Sequence, residues 1–118
     1  MIRKKKPNTM NMEQPEAVQT NRAYVRFVHL SPNAPSVDIT LPNGPALFSD
    51  VTFEETTEYI EVRPATYTLQ VRPARNTNQV VLSVPNVTLE PGKVYTVYAV
   101  GLLNEDPALS ALYLEDGV

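Results

Sequence analysis

The chain alternates between apolar and polar residues in short runs that turn-forming residues separate. The cleanest run is 66–72, where Tyr67, Leu69 and Val71 share one parity and polar side chains occupy the other. Alternation with a period of two over so few residues predicts a half-buried β-strand. The whole pattern predicts seven to eight strands, near 24–30, 37–41, 46–48, 58–63, 66–72, 79–84, 94–102 and 109–114. The strand at 79–84 is predicted to break at Pro85 and Asn86 and to continue at 87–89, and the last segment fits a short helix equally well.

Two segments carry apolar residues on both parities. Neither face of 24–30 is cleanly polar, and 94–102, VYTVYAVGL, is apolar on both faces. Such a pattern is typical of a strand that is covered on both sides, so 94–102 is predicted to be central in its sheet. The runs 58–63 and 66–72 flank Pro64 and Ala65, which predicts that they form a hairpin.

The spacing of turns indicates the fold class. Turn signals recur about every ten residues, no helical periodicity alternates with the strands, and 11 prolines make long helices unfavourable. The sequence therefore predicts an all-β protein, an antiparallel β-sandwich of immunoglobulin-like size. Residues 23–118 form this single domain, and the polar, aperiodic residues 1–22 are predicted to be a flexible N-terminal arm.

Charge is unevenly distributed between these two parts. The arm carries five basic and two acidic residues, a net charge of +3, whereas residues 23–118 carry five basic and eleven acidic residues, a net charge of −6. An acidic domain is a poor match for phosphate, so no nucleic-acid partner is expected. No membrane-spanning run and no signal peptide are apparent in the chain, and the compartment stays open.

Residues 29–38 form the motif His-x-Ser-Pro-x-Ala-Pro-x-Val-Asp. This motif resembles the opening signature of a bacterial family, domain-of-unknown-function family 4397. Segment 59–67 resembles the middle hairpin of that family, and residues within 89–101 resemble its last core strands. The family usually has Pro-Ala-Gly-Thr-Tyr at the middle turn, and the glycine is missing here between Ala65 and Thr66, which leaves the register of that hairpin open.

The resemblance covers roughly residues 23–103. It implies an immunoglobulin- or prealbumin-like β-sandwich and no particular activity. Members of the family are often exported or attached to the bacterial cell surface, so the resemblance implies the same location for this chain.

The candidate site lies in the same stretch, at the corner SPNAPS between the first two strands. It consists of His29, which is the one histidine of the chain, together with Ser31 and Asp38. If the strands form a direct hairpin, His29 lies opposite Asp38, within reach of a hydrogen bond. If Val25 and Phe27 instead point inward, the two strands belong to different sheets. The pattern does not decide between these arrangements, and in both a structural role for the corner is the stronger interpretation.

Catalytic and metal chemistry find little support in the residues. Without cysteine and with one histidine, the chain cannot build a structural zinc site, and the acidic stretch with Asp50, Glu54 and Glu55 is interpreted as a solvated loop. Ser31 lies near His29 without an oxyanion loop, so no catalytic residue is assigned. No enzymatic activity, cofactor or metal is expected.

Two functions remain as hypotheses. The first is a non-enzymatic structural or protein-binding module, with a protein partner or self-association, as a subunit of a bacterial surface assembly. The alternative is a domain that binds a small ligand or a carbohydrate through the loops at one end of the sandwich. Tyr59 and Tyr98 have the parity opposite to the inward residues, and they are expected at the surface.

Overall fold

A computed structural model describes residues 20–116, which form two four-stranded β-sheets and contain no helix. One sheet, here called sheet A, has the strand order β4-β1-β7-β8, and the other, sheet B, has the order β3-β2-β5-β6. The all-β sandwich is thus confirmed. The strands are β1 (Ala23–His29), β2 (Val37–Thr40), β3 (Ala46–Val51), β4 (Ile60–Val62), β5 (Ala65–Pro73), β6 (Leu82–Leu89), β7 (Val94–Val100) and β8 (Ser110–Glu115).

The hydrophobic core lies between the two sheets and follows the period-two pattern of the sequence. On β1 the inward parity holds Val25 and Phe27, and on β5 it holds Leu69 and Val71. Because successive side chains of a strand point to opposite faces, each strand contributes every second residue to the core. The buried residues of this core cluster are Ala23, Val25, Phe27, Val37, Ile39, Phe48, Val51, Leu69, Val71, Val87, Leu89, Tyr95, Val97 and Ala99.

One strand pair departs from the predicted antiparallel arrangement. β1 and β7 run parallel, with Val25 opposite Tyr95 and Phe27 opposite Val97. Most residues of both strands are buried, which is the usual environment of parallel pairs. The apolar residues on both parities of 24–30 and 94–102 therefore reflect two interior strands of sheet A, and β7 is central as predicted.

The predicted hairpin between 58–63 and 66–72 is wrong. β4 pairs with β1 in sheet A, whereas β5 pairs with β2 and β6 in sheet B. The chain crosses from one sheet to the other at Pro64, where the phenol of Tyr67 donates a hydrogen bond to the carbonyl oxygen of Arg63 at 2.6 Å. A tyrosine that binds the backbone four residues upstream is a recurrent corner device of β-sandwiches. The two runs alternate as a hairpin would, but this corner directs them into different layers.

Other segments follow the sequence more closely. The predicted break at Pro85 and Asn86 is wrong, because β6 runs through both residues as one strand and the irregularity is taken up by a register shift in its pairing with β5. The last segment is a strand rather than a helix. Most of the predicted arm, residues 1–22, lies outside the described residues. Within the part of the arm that is described, the carbonyl of Arg22 accepts a hydrogen bond from the N–H of Gly92 at 2.7 Å. No helix within residues 20–116 has the length and apolar character needed to cross a bilayer.

Candidate functional site

His29 ends β1 and points its ring into the corner formed by residues 31–36, here called the SPNAPS corner. The side chain is 1% exposed. Its Nδ1 accepts a hydrogen bond from the backbone N–H of Ser31 at 3.2 Å, and its Nε2 lies 3.0 Å from the carbonyl oxygen of Pro35. Because Nδ1 acts as the acceptor, the proton sits on Nε2, which donates to Pro35. Both ring nitrogens are thus bound to the backbone of the corner.

The backbone of His29 is also bound, on its other side, to the acidic loop that follows β3. The N–H of His29 donates to the carbonyl of Glu55 at 3.2 Å, and the N–H of Glu54 donates to the carbonyl of His29 at 2.6 Å. The ring of Phe53 meets the imidazole edge to face, with centroids 6.1 Å apart. The acidic loop therefore lies along β1 and covers the imidazole.

Ser31 is completely buried, and its hydroxyl has no hydrogen-bond partner in the described structure. The imidazole binds the backbone N–H of Ser31 rather than its hydroxyl. A serine nucleophile needs its hydroxyl on the base, so residues 20–116 do not bring Ser31 and His29 into a catalytic arrangement.

Asp38 lies in the other sheet and has a separate partner. Its Oδ1 accepts a hydrogen bond from the N–H of Asp50 at 2.8 Å. Asp50 has a φ of 54° and lies where the pairing of β2 with β3 shifts register, so the carboxylate holds an irregular point of β3. Of the two arrangements left open by the sequence, the one with Val25 and Phe27 inward is observed, and His29 does not lie opposite Asp38.

Asn33 is a residue of the corner that the sequence did not single out. Its side-chain amide donates to the carbonyl of Leu103 at 3.1 Å and accepts from the N–H of Leu103 at 2.8 Å. The two bonds imitate a backbone pair and attach the SPNAPS corner to the loop after β7. Asparagine in a Pro-Asn step is a turn signal, but nothing in the sequence indicates this partner 70 positions away.

A second polar group, here called the outer-face cluster, lies on the side of sheet A that faces away from the core. Arg26 Nε donates to the hydroxyl of Thr96 at 2.9 Å, and that hydroxyl donates to the carboxylate of Asp116, also at 2.9 Å. Tyr59 donates its phenol proton to Asp116, while the guanidinium of Arg26 lies 4.8 Å from the centroid of the Tyr59 ring. The cluster joins β1 and β7 to the segments before β4 and after β8.

This environment changes the ionisation of Tyr59. Burial raises the pKa of the Tyr59 phenol well above its ordinary value of 10.0, and the hydrogen bond to Asp116 raises the pKa further, against the opposing charge of Arg26. Tyr59 is half-buried rather than at the surface, and so is Tyr98. The clue in the sequence was Arg26, a charge within an apolar strand whose register partner is Thr96.

Neither the acidic loop nor the loop after β7 gathers metal ligands. In the acidic loop the carboxylate of Glu55 accepts a hydrogen bond from the N–H of Thr52 at 3.0 Å. No group of three or more histidine or acidic side chains suited to a metal ion occurs within residues 20–116. An open groove of about 410 Å³ lies beside the loop after β7 and is lined by Val81 together with residues of 103–109.

Comparisons with known proteins agree with this architecture. The solved structure of the C-terminal domain of AlgF from P. aeruginosa aligns with a TM-score of 0.57 and 19% sequence identity, over 81% of this chain and 99% of that domain. At this identity the likeness concerns the fold alone. No curated protein sequence matches the chain.

A family model agrees with the resemblance carried by the motif at residues 29–38. The match spans residues 8–118, so it includes most of the residues assigned to the arm as well as the whole sandwich. The chain belongs to the family described as domain of unknown function DUF4397.

Proposed function

We propose that this domain is a non-enzymatic structural or protein-binding module, a subunit of a larger assembly at the bacterial surface. The observation that carries the proposal is a pair of exposed leucines on an edge strand. Leu112 and Leu114 lie on the outer face of β8, with 44% and 54% of their surface exposed. Single exposed leucines are ordinary, but two that share one face of an edge strand form a surface suited to another polypeptide.

The neighbours of the two leucines on β7 are one aromatic residue and one residue of the outer-face cluster. Leu112 is the register partner of the half-buried Tyr98 on β7, and Leu114 is the register partner of Thr96. The outer face of sheet A therefore changes from the outer-face cluster to an aliphatic and aromatic strip at β8. Aromatic and aliphatic side chains at the centre of a patch with a polar border are typical of protein interfaces.

The non-enzymatic part of the proposal is supported by the SPNAPS corner. A general base must be free to take a proton from a substrate. Both nitrogens of the buried His29 ring are engaged by Ser31 and Pro35, so proton transfer would require the corner to open. The surface location is supported by the exported bacterial proteins that the motif at residues 29–38 resembles.

The experiment is photo-crosslinking of the full chain in the cells that produce it. A photoreactive phenylalanine replaces Leu114 in one variant and Val80 in a control, because Val80 is an apolar side chain of similar exposure, 40%, outside β8. A binding module is expected to give polypeptide adducts from position 114 and few from position 80. Absence of adducts at position 114, or equal labelling at both positions, would contradict a protein-binding role for this strand.

A ligand-binding domain is the second candidate, and the groove beside the loop after β7 favours it. The groove is large enough for a small molecule, and Glu105 and Asp106 give its rim an acidic character. A ligand that binds the native state raises the melting temperature by mass action. Thermal shift on a panel of sugars, compared between the native chain and Asp106→Asn, is the test. A shift that the substitution reduces is expected of a sugar that hydrogen-bonds to the acidic rim of the groove, and flat melting curves across the panel would argue against this candidate.

A further inference from the structure

The four edge strands of the sandwich differ in how they are protected against pairing with another chain. β4 has three residues and is followed by Pro64, β3 contains Asp50 at positive φ, and β6 contains Pro85 and Asn86, the latter with a φ of 64°. Short length, proline and bulges are the usual devices that keep an edge from pairing. Three of the four edges therefore carry such a device.

β8 carries none of these devices. Its six residues, Ser110–Glu115, contain no proline or residue with positive φ, and its register with β7 is continuous. Within residues 20–116, β7 is its one strand partner. Its single charged residue, Glu115, lies at the C-terminal end. An apolar edge of this regularity is suited to pairing with a further strand.

The direction of the free backbone groups follows from the hydrogen bonds of sheet A. The N–H of Asp116 donates to the carbonyl of Val94, so Val94 directs its backbone groups towards β8. The carbonyl of Ala99 accepts from the N–H of Leu30, just beyond the end of β1, so Ala99 directs its carbonyl towards β1 and away from β8. In an antiparallel pair the bonded residues alternate. Leu112 and Leu114 therefore direct their N–H and C=O groups to β7, and Ala111, Tyr113 and Glu115 direct theirs to the open edge.

We infer that β8 pairs antiparallel with β8 of a second copy of this chain, so that two four-stranded A sheets become one continuous sheet across a twofold axis. This inference rests on the proposed function and names the partner. An antiparallel ladder centred on Tyr113 places Ala111 opposite Glu115 of the second copy and Leu112 opposite its Leu114. All three residues with free backbone groups then form hydrogen-bonded pairs, about six bonds in all.

The side chains favour a second copy in this register. Each leucine of β8 meets a leucine of the second copy on the outer face, at a position without backbone bonds where side chains approach most closely. A ladder centred on Leu112 instead places Leu114 opposite Ser110 and uses fewer of the free groups. The two Glu115 carboxylates lie at opposite ends of the Tyr113-centred ladder, about four residues or 13 Å apart, and so barely repel each other.

Size and charge set the strength of the association. A ladder of five residues is only about 17 Å long, which is characteristic of a weak dimer rather than an obligate one. The full chain carries a net charge of −3, from ten basic and thirteen acidic residues, so two copies repel each other weakly at a distance. Added salt screens this repulsion, and dimerisation is expected to strengthen as salt concentration rises.

The first test is sedimentation equilibrium of the full chain over two orders of magnitude of protein concentration. The native chain is expected to pass from monomer to dimer, and Leu114→Lys is expected to weaken the dimer at least about tenfold, because it buries a charge against leucine. Val80→Lys, on an exposed apolar residue away from β8 (40% exposed, against 54% for Leu114), is the control and should dimerise like the native chain. A monomer at every concentration, or equal weakening by both substitutions, would overturn the inference.

The second test fixes the strand and the register, and it exploits the absence of cysteine from the chain. Leu112→Cys and Leu114→Cys are oxidised separately and as a mixture. In the Tyr113-centred ladder, position 112 lies opposite position 114 of the second copy, with the two Cα atoms about 4.5 Å apart and within disulfide range. Two copies of position 112, or two copies of position 114, lie diagonally across the ladder and farther apart. The mixture is expected to give disulfide dimers much faster than either variant alone. Equal rates in all three samples, or no dimer, would overturn the pairing.

The photo-crosslinks at position 114 separate this inference from the proposed function. Adducts between two copies of the chain support both. Adducts to a different protein, with a monomeric native chain, keep the protein-binding role and overturn the second copy as partner. An adduct that joins position 114 to residues 1–19 of the same chain would identify that segment as the occupant of the edge and overturn the dimer as well.

Discussion

The imidazole Nε2 of His29 lies 3.0 Å from the carbonyl oxygen of Pro35, so that a side chain of β1 closes the SPNAPS corner from within. The corner has few means of closing itself, because Pro32 and Pro35 have no N–H to donate. The backbone bond from Ala34 to the carbonyl of Ser31, at 3.2 Å, is its short-range contribution. The ring supplies a donor, Nε2–H, in a corner where two backbone donors are missing, and its Nδ1 accepts from the N–H of Ser31.

Replacing His29 by phenylalanine should therefore destabilise the protein while preserving most of the ring volume. The substitution leaves the buried N–H of Ser31 without a partner and removes the bond to the carbonyl of Pro35, a residue that is itself exposed. The unpaired buried N–H costs about 1–3 kcal/mol and the lost bond at Pro35 about 1 kcal/mol, so the free energy of unfolding should fall by roughly 2–4 kcal/mol. Urea unfolding followed by circular dichroism measures the change. A midpoint equal to that of the native chain would show that the ring does not hold the corner.

His29 and Asp38 should behave as independent sites. They lie in different sheets, and Asp38 binds the N–H of Asp50, which His29 does not touch. Asp38→Ala is expected to cost about 1 kcal/mol through the lost bond at the irregular point of β3. The double variant with His29→Phe should lose the sum of the two effects, within about 0.5 kcal/mol. A coupling energy above about 1 kcal/mol in the double-mutant cycle would indicate that the two residues share a network after all.

Ser31→Ala should leave the stability unchanged or raise it. The hydroxyl is buried and has no partner in the described structure, whereas the bond from the backbone N–H of Ser31 to His29 survives the substitution. Removing a buried hydroxyl without a partner avoids its desolvation cost, so a gain of up to about 1 kcal/mol is expected in urea unfolding. A loss above about 1 kcal/mol would mean that the hydroxyl has an important partner, and Ser31→Thr would then show whether a hydroxyl at this position suffices.

The strand pattern could be predicted from the sequence because alternation reports burial directly. Tyr67, Leu69 and Val71 share one parity, and their strand forms as expected. The pairing of strands could not be predicted in the same way. The hairpin inferred around Pro64 fails because a two-residue connection between alternating runs looks the same whether the chain turns back in its own sheet or crosses to the other one.

In the candidate site, too, some residues could be identified from the sequence but their hydrogen-bond partners could not. His29 and the SPNAPS corner could be singled out because the chain has one histidine, and two prolines follow it closely. The partners of Asn33 and Arg26 lie 70 positions away in both cases. Those contacts depend on which strands become neighbours, above all on the parallel pair of β1 and β7, and no local pattern encodes that choice.

Tyr59 should make the protein sensitive to alkaline pH. Because burial and Asp116 raise the pKa of Tyr59 in the folded state, the folded protein keeps the phenol proton after the unfolded chain has released it. The stabilisation that the protonated phenol of Tyr59 provides is fully present below pH 10.0, the ordinary pKa of the group, and is lost as the pH rises above that value. The free energy of unfolding, measured by urea titration at several pH values, should therefore decline above that value, and less steeply in Tyr59→Phe.

Asp116→Asn provides the matched variant for Tyr59. It removes the negative charge beside the phenol, so the pKa of Tyr59 should fall toward its ordinary value, which ultraviolet absorbance of the tyrosines follows directly. The alkaline slope should then lie between those of the native chain and of Tyr59→Phe. Identical slopes in all three proteins would mean that the outer-face cluster does not govern the phenol.

Gly101 should tolerate a side chain much less than Gly92, although the two glycines have similar backbones. Their φ angles are +84° and +78°, so alanine at either position costs about 1–2 kcal/mol from the left-handed conformation alone. At Gly92 the nearest atoms to an added Cβ are 3.7 Å away, in Thr20, whereas at Gly101 an added Cβ would overlap the carbonyl oxygen of Ala108. That oxygen belongs to the loop after β7, in which Pro107 and Ala108 pair with Leu102 and form one side of the groove. The oxygen can move away only if this pairing opens.

The difference between the two glycine variants isolates this steric contact. Gly92→Ala is expected to lose about 1–2 kcal/mol of unfolding free energy, and Gly101→Ala about 3 kcal/mol or more. Hydrogen exchange should also locate the damage, because the amide of Leu102, bound to the carbonyl of Pro107 at 2.8 Å, loses protection when the loop opens. Equal losses in the two variants would mean that the loop after β7 yields easily. A rigid loop would instead keep the groove and the Asn33 attachment of the SPNAPS corner in place.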